Sequence, residues 1–337
     1  MLTTVLKGLG LVLAALVLLA FGLWGVGALW FQGPENEAAR LALVLIWAAL
    51  ALAGAVGIPW RRLRPAAYGF AAAAVALLGW WATITPSNQR DWLPELSRGV
   101  TASFEGDTVV VHNIRDFVWR SETDYTPNWV DRRYNLDDLS GVDMFMTYWA
   151  GPSIAHMIVS FGFKDGRQLA FSVEIRRPKG VEYSPVAGFF KRYEQIFIAA
   201  DERDVIGLRH VRPEESQLYR IRVDPKRARG LLVEYLKRAN EMAAHPRFYH
   251  TVLSNCTTEV FSMVRAAGFD PPWDYRILAN GYLPQLAWSE RLLDERHSVE
   301  ELGKLGRVDD RFPPLPIDSV AFSSRIRDGV PTPAPMR

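Results

Sequence analysis

The chain has 337 residues and a formal net charge of +2, with 49% hydrophobic and 23% charged residues. Nothing here indicates nucleic-acid binding, because the nearly neutral chain has no basic stripe. It also has no Cys/His set with zinc spacing and no glycine-rich phosphate loop after a strand, so we expect neither a metal nor another cofactor. The averages hide a partition. Residues 5–83 are almost entirely apolar, and the chain after Thr85 has the polarity of an ordinary globular domain.

Three stretches of the apolar part have the length of about 20 residues that a bilayer-spanning helix needs. They cover residues 9–31, 39–58 and 66–84. Only a helix satisfies its own backbone hydrogen bonds in hydrocarbon at this length, so we predict three transmembrane helices. The first apolar run is too long for a cleaved signal peptide and further spans follow it, which favours a permanent anchor.

The basic residues predict how these spans are oriented. Lys7 precedes the first span, "WRRLRP" (60–65) joins the second to the third, and the loop between the first two (32–40) is mainly acidic. The positive-inside rule therefore predicts a cytoplasmic N-terminus. Three crossings then leave everything after about residue 86 outside the inner membrane of a bacterium, in the periplasm.

The rest of the chain predicts one α+β domain. Apolar alternation predicts strands over 107–114, 142–150, 153–163, 168–177, 193–200 and 216–224. Helices are predicted over 225–245, which Pro225 begins, and over 256–267, which Gly268 ends. Strands in one run with helices later indicate an α+β fold with a mostly antiparallel sheet. We expect an anchor over 1–85, a periplasmic domain over 86–330 and a proline-rich tail over 331–337.

Cys256 is the only cysteine, and it lies in "TVLSNCTTEVF" (251–261). Ser254 and Asn255 are both residue types that cap helix N-termini, so Cys256 is predicted in the first turn of a helix. There the free amides and the helix dipole stabilise a thiolate, and the same amides could hold an oxyanion. A buried structural cysteine is the alternative, since that role is common for this residue type.

His156 is the candidate base for this thiol, because among the six histidines it alone lies within a strand with apolar neighbours. "FKDGR" (163–167) is typical of a three-residue hairpin loop closed by a left-handed glycine, and this loop pairs residues whose numbers sum to 330. In that register His156 faces Glu174. Directly opposed side chains lie about 5 Å apart, so the carboxylate could orient the imidazole. A routine surface His–Glu pair is the alternative.

These residues resemble a known family. A strand histidine, a polar partner on the next strand and a later "NC" that opens a helix resemble circularly permuted papain-like thiol enzymes. Three longer segments look like the periplasmic domain of Lnb-type lipoprotein N-acyltransferases: "FVWRSETDYTPNWVDRRYNLDDLSGVDMFMTYWAGPSIAHMIVSFGF" (117–163), "FSVEIRR" (171–177) and "YHTVLSNCTT" (249–258). The resemblance implies Cys256 as the acyl-accepting nucleophile, His156 as general base and Glu174 as the third member, in a papain-like fold.

Five further residues are candidates for substrate binding. Arg132 and Arg133, in "WVDRRYNLDD" (129–138), could clamp a phosphate or a carboxylate, although a solvated charged loop is the commoner explanation for such a segment. Arg176, beyond Glu174 on the same strand, could meet lipid headgroups. Tyr249 could donate to an oxyanion or fill the core, and Asn255 adjoins the nucleophile.

The expected function is a membrane-anchored periplasmic cysteine acyltransferase that forms a thioester at Cys256. The resemblance implies membrane lipid and bacterial lipoproteins as its substrates and partners. Two alternatives remain open: a cysteine amidase or peptidase of the cell envelope, and a membrane-tethered scaffold without catalysis. Neither the acyl donor, the acceptor nor the oligomeric state follows from the sequence.

Overall fold

The computed structural model of the protein describes residues 2–149, 151–212, 214–314 and 316–335. Ala150, at the end of one predicted strand, and the last two residues of the predicted tail lie outside them. The chain forms two compact units. The first comprises Met1–Ser87, Glu182–Tyr193 and Phe248–Thr251, and the second comprises Asn88–Val181, Glu194–Arg247 and Val252–Arg337. The predicted domain boundary at residue 85 stays a prediction. The first unit includes two later segments in addition to the N-terminal residues.

Among its described residues the first unit contains three α-helices, α1 (Leu2–Gln32), α2 (Glu37–Gly57) and α3 (Arg64–Thr83). Each is long and apolar enough to cross a membrane, which agrees with the three predicted spans. Trp47 of α2 donates a hydrogen bond from Nε1 to the Gly22 carbonyl of α1 at 2.8 Å. Gly25 makes this approach possible, since a Cβ there would lie 2.4 Å from the Trp47 ring.

The segment Glu182–Tyr193 contacts the C-terminal ends of α1 and α3 within this unit. Gln32, the last residue of α1, donates to the carbonyls of Phe190 and Lys191 at 2.9 and 2.6 Å. The Lys191 ammonium donates to the Trp81 carbonyl near the end of α3 at 2.8 Å. The C-terminal ends of α1 and α3 therefore both contact this segment. This agrees with three consecutive spans, because the first and the third cross a membrane in the same direction.

The second unit is built on a mixed sheet with helices on both faces, so the predicted α+β class is confirmed. Its strands are β1 (Thr101–Glu105), β2 (Thr108–Arg115), β3 (Val118–Trp119), β4 (Tyr125–Thr126), β5 (Trp129–Asn135), β6 (Leu139–Tyr148), β7 (Ala155–Phe163), β8 (Gln168–Arg176), β9 (Glu194–Ala200) and β10 (Glu215–Ile221). The main sheet has the order β1-β2-β9-β8-β7-β6-β10, with β5 paired to β2, and β3 and β4 form a separate pair. All its ladders are antiparallel except the parallel contact between β2 and β9.

In the part of this unit that the structure describes, six α-helices cover the sheet. They are α4 (Glu202–Val211), α5 (Pro225–Ala244), α6 (Cys256–Ala266), α7 (Leu283–Ser289), α8 (Val299–Leu305) and α9 (Ser319–Arg325). One apolar cluster joins β7 and β8 to α5, α6 and α7. A second cluster joins the opposite face of the same strands to α4 and α9. Residues of β7 therefore alternate between two buried layers.

The β7–β8 hairpin has the predicted register. Val159 pairs with Phe171 and Phe161 with Leu169, and Phe163 donates its amide to the Arg167 carbonyl at 3.0 Å. Gly166 closes the loop with φ +85°, the left-handed region that favours glycine. Among the described residues the paired ladder ends at Ile158–Ser172. His156 and Glu174 thus lie just beyond its last hydrogen-bonded pair.

The sequence misassigned one strand. Residues 129–138 were expected to form a charged loop, whereas residues 129–135 form β5 and pair with β2. The reason is that β5 turns polar side chains outward, so its apolar alternation is weak. The short strand β1 and the helix α4 were also not predicted, although α4 provides a residue of the site described below.

Candidate functional site

Cys256 is the first residue of α6 and a half-buried free thiol. Asn255 caps this helix as predicted, because its side chain accepts hydrogen bonds from the amides of Thr257 and Thr258, both at 3.0 Å. Thr258 completes a capping box by accepting from the Asn255 amide at 2.9 Å. The cap fixes where the helix begins and so places the sulfur at its positive end.

His156 of β7 is buried, and an interaction with the Cys256 side chain raises the pKa of its imidazole. Nε2 of the ring lies 2.6 Å from Ser172 Oγ and 3.2 Å from Glu174 Oε1. Ser172 donates its own proton to Glu174 Oε1 at 2.6 Å, so its oxygen must accept from the ring. The network therefore puts a hydrogen on Nε2 and leaves Nδ1 as the nitrogen that can act as a base.

Glu174 completes this arrangement and has a second cationic partner. Arg209 of α4, itself buried, donates from Nη2 to Glu174 Oε1 at 2.6 Å. Burial favours the neutral acid, but His156 and Arg209 together hold the pKa of Glu174 well below its ordinary value. Glu174 is therefore a carboxylate at any physiological pH, as an orienting group must be.

The charge of Glu174 determines the protonation state of the histidine. Burial has the largest single effect and lowers the pKa of His156, and the Arg209 charge lowers it further. The charge and the hydrogen bond of Glu174, together with the Cys256 side chain, raise it, and the resulting value is about 9. His156 is consequently an imidazolium at neutral pH, the state in which it pairs with a thiolate.

Asn280 links the histidine strand to the cysteine helix. Its buried amide group accepts from the Ala155 amide at 2.9 Å and donates to the Ala155 carbonyl at 2.6 Å. The same Nδ2 donates to Thr257 Oγ1 at 2.9 Å. Ala155 immediately precedes His156 and Thr257 immediately follows Cys256. One side chain thus ties together the backbone at the base and the side chain next to the nucleophile.

Gln195 of β9 holds the approach to the helix. Its buried side chain donates to the Ser254 carbonyl at 2.9 Å and accepts from Ser254 Oγ at 3.2 Å. These two bonds fix the residue two positions before Cys256. The start of α6 is therefore held from two directions, by Gln195 before the cysteine and by Asn280 after it.

The first turn of α6 offers one amide for an oxyanion rather than several. Asn255 occupies the amides of Thr257 and Thr258, so these two no longer point to a ligand. In the described part of the chain, no hydrogen bond uses the Cys256 amide. This amide lies beside the sulfur that would attack a carbonyl, which is the position an oxyanion-binding group requires.

Two of the arginines predicted to bind substrate are engaged within the fold, whereas substrate binding by Arg133 stays a prediction. Arg132 pairs with Asp201 at 2.6 Å and with Asp116 at 3.5 Å. Arg176 is buried and donates to the carbonyls of Leu96 and Ser97 at 2.9 and 2.8 Å, so it cannot meet headgroups. Arg133 forms an exposed ion pair with Glu105. The prediction for all three arginines rested on residue type alone, because the sequence does not show which hydrogen-bond acceptors lie near them in the fold.

The remaining predicted contact, Tyr249, belongs to the first unit, where its amide donates to the Tyr193 carbonyl at 2.9 Å. Its proposed donation to an oxyanion stays a prediction. Ser172, Arg209, Asn280 and Gln195 were missed. Ser172 alone had a signal in the sequence, since the predicted register puts it on the same face as Glu174.

Comparison with known proteins gives one match. Residues 125–281, a little under half of the chain, match the family described as the Lnb N-terminal periplasmic domain. This segment is an Lnb-type domain. It contains Cys256, His156 and Glu174, together with Asn280, which ties them together. No curated protein and no solved structure matches the chain. With the three apolar helices, the Lnb-type domain makes the chain a membrane-anchored periplasmic protein.

Replacing Glu174 by Gln should lower the pKa of His156. The wild-type ring should titrate at about 9, so the ion pair stabilises the fold fully below the ordinary value of 6.5 and is lost as pH rises through about 9. Without the carboxylate, burial and Arg209 remain, and the midpoint should fall to 6.5 or lower. NMR titration of histidine-labelled protein in detergent measures this. Glu105→Gln, which breaks only an exposed pair, is the control, and an unchanged midpoint in Glu174→Gln would contradict the assignment.

Replacing Asn280 by Ala should separate the thiol from its base. Asn240 provides a matched control, because it binds the amide and carbonyl of Ala102 at 2.8 Å each, as Asn280 binds Ala155. Both alanine variants should lose about 1–3 kcal/mol of stability in denaturant unfolding. Only Asn280→Ala should also slow alkylation of Cys256 by iodoacetamide at neutral pH and lower the pKa of His156. Equal alkylation rates in the two variants would show that Asn280 only stabilises the fold.

Proposed function

We propose that this protein is a periplasmic thiol acyltransferase that takes an acyl chain from a membrane lipid ester. The observation that supports it best is that the Cys256 side chain raises the pKa of the buried His156 ring, while Ser172 and Glu174 hold Nε2 of that ring. A nucleophile, a base and a third group that orients the base are the arrangement that enzymes use for covalent acyl transfer. A structural cysteine needs neither a buried imidazolium nor a carboxylate behind it.

The first half-reaction forms a thioester. The Cys256 thiolate attacks the ester carbonyl, and the Cys256 amide stabilises the oxyanion that develops. As the tetrahedral intermediate collapses, the carbon–oxygen bond breaks and the leaving alkoxide takes the proton of the His156 imidazolium. An alcohol departs as lysolipid, and His156 is left neutral beside the acyl-cysteine.

The second half-reaction transfers the acyl group. An amine attacks the thioester and gives a proton to His156 Nδ1, so the carbon–sulfur bond breaks and the thiolate–imidazolium pair is restored. The product is an amide, or a fatty acid where water replaces the amine. The resemblance to Lnb-type enzymes implies the N-terminal amine of a lipoprotein as acceptor.

The anchor supports a lipid donor over a soluble one. Three helices able to span a membrane and a short connection (84–87) keep the Lnb-type domain at the bilayer, where lipid esters are present at high local concentration. Two segments adjoining the site in the sequence, Glu182–Tyr193 after β8 and Phe248–Thr251 before α6, also belong to the unit of these helices.

Full-length protein incubated with phospholipid vesicles should gain the mass of one acyl chain on Cys256. Intact-mass spectrometry followed by peptide mapping measures the adduct. Cys256→Ser should abolish it, and His156→Ala should slow it by about 100- to 10,000-fold, the usual range for loss of a general acid–base. His112→Ala removes a histidine paired with Asp131 away from the site and should leave the rate unchanged. An adduct from peptide esters but never from lipid would favour the amidase alternative.

The proposed topology has a cytoplasmic N-terminus. In a Cys256→Ser background, a membrane-impermeant maleimide should label Glu35→Cys in intact spheroplasts. It should label Arg62→Cys only after permeabilisation, because the positive-inside rule keeps this basic loop in the cytoplasm. The reverse labelling pattern would place the Lnb-type domain in the cytoplasm and would contradict the proposed topology.

A further inference from the structure

The second unit exposes large apolar side chains in three of its loops. Trp273, Tyr275 and Leu278 are 82, 70 and 61% exposed, and Leu253 is 75% exposed. Trp149, Ile154 and Val252 are exposed as well. We call these seven residues the apolar rim. Soluble proteins seldom display so many large apolar groups close together unless the surface contacts another apolar phase.

The rim adjoins the thiol and its base through the chain. Ile154 precedes His156 by two residues, and Leu253 precedes Cys256 by three. The third loop leads into Asn280, which binds both Ala155 and Thr257. The first and third loops are also joined directly, since the Gly281 amide donates to the Ser153 carbonyl at 3.0 Å.

The rim is held in an exposed position. The Arg265 guanidinium of α6 lies 5.1 Å from the centre of the Trp273 ring, and its Nη2 donates to the Pro271 carbonyl at 3.4 Å. Tyr148 donates to the Gly281 carbonyl at 2.9 Å and fixes the other side. These contacts of Arg265 and Tyr148 fix the backbone of the loop, so its exposed rings belong to an ordered surface.

The rim carries no net charge. Residues 149–154 and 252–253 contain no charged residue. In the third loop, residues 273–278 contain one acid, Asp274, and its carboxylate accepts two bonds from the Arg276 guanidinium at 2.8 Å. The pairing of this single acid and base removes the charge that would oppose contact with a bilayer. Tryptophan and tyrosine are also the residues that proteins place at membrane interfaces.

We propose that the apolar rim docks on the lipid surface of the bilayer that the helices span, so that the Lnb-type domain meets lipid through the loops around Cys256. Lipid fits better than a protein partner, because the short connection to α3 makes lipid the apolar phase nearest to the domain. The docking goes beyond acyl transfer, since it does not need the thiol to react.

The test uses full-length protein with its only cysteine removed as Cys256→Ser, which makes a single new cysteine unique. Trp273→Cys and Leu278→Cys carry a nitrobenzoxadiazole label in vesicles of phosphatidylethanolamine and phosphatidylglycerol. Phe104→Cys is the control, because Phe104 is also exposed, at 41%, but lies on β1 outside the rim. Lipids with nitroxide groups in their chains are then added to the vesicle composition.

Lipid nitroxides should quench the labels at 273 and 278 several times more than the label at 104, with blue-shifted emission at the two rim positions. Equal quenching at all three positions would overturn the proposal. Blue-shifted emission without lipid quenching would also overturn it and would indicate a protein, such as a second copy of the chain, on the rim. The experiment measures no enzymatic activity. Its result can therefore be interpreted even if the acyl-transfer proposal is wrong.

Discussion

The site depends on one buried charge interaction, between the His156 imidazole and the Glu174 carboxylate, 3.2 Å apart. A charge removed from water is costly unless it is paired and hydrogen-bonded, and a lone imidazolium at this position would lose its proton. Glu174 prevents that, and Ser172 and Arg209 in turn keep Glu174 ionised and correctly oriented. Because four side chains from β7, β8 and α4 must meet, the packing of α4 on the sheet is part of the chemistry.

The elements that bring the sulfur to this pair are joined by neutral amide side chains. Asn280, Gln195 and Asn255 each bind backbone groups at the ends of elements. An amide both donates and accepts, so it can satisfy a backbone N–H and C=O together. A charged side chain in the same positions would shift the pKa of His156 or compete for Glu174. Neutral groups therefore fix the geometry without disturbing the charge balance.

The sequence predicted those parts of the site that local rules determine. The turn after Phe163 sets the hairpin register, which brings His156 and Glu174 together, and the Asn255 cap sets the position of Cys256. Arg209 and Asn280 could not be found in this way, because their partners are distant in the chain and meet them only through packing. Arg176 was misjudged for the opposite reason. Its type and position suggest a headgroup ligand, whereas its real acceptors are backbone carbonyls that no sequence pattern reveals.

The protonation state at rest also bears on which acceptor the proposed enzyme could use. A histidine that holds its proton up to a pH of about 9 can protonate the alkoxide of a lipid ester, a poor leaving group without an acid. After acylation the same ring must accept a proton, and the attacking amine must arrive uncharged. An α-amine has a pKa of about 8 and is partly neutral near neutral pH, whereas a lysine side chain, at about 10.4, is almost wholly charged. These amine pKa values favour a chain terminus over a lysine as the acyl acceptor of the proposed enzyme.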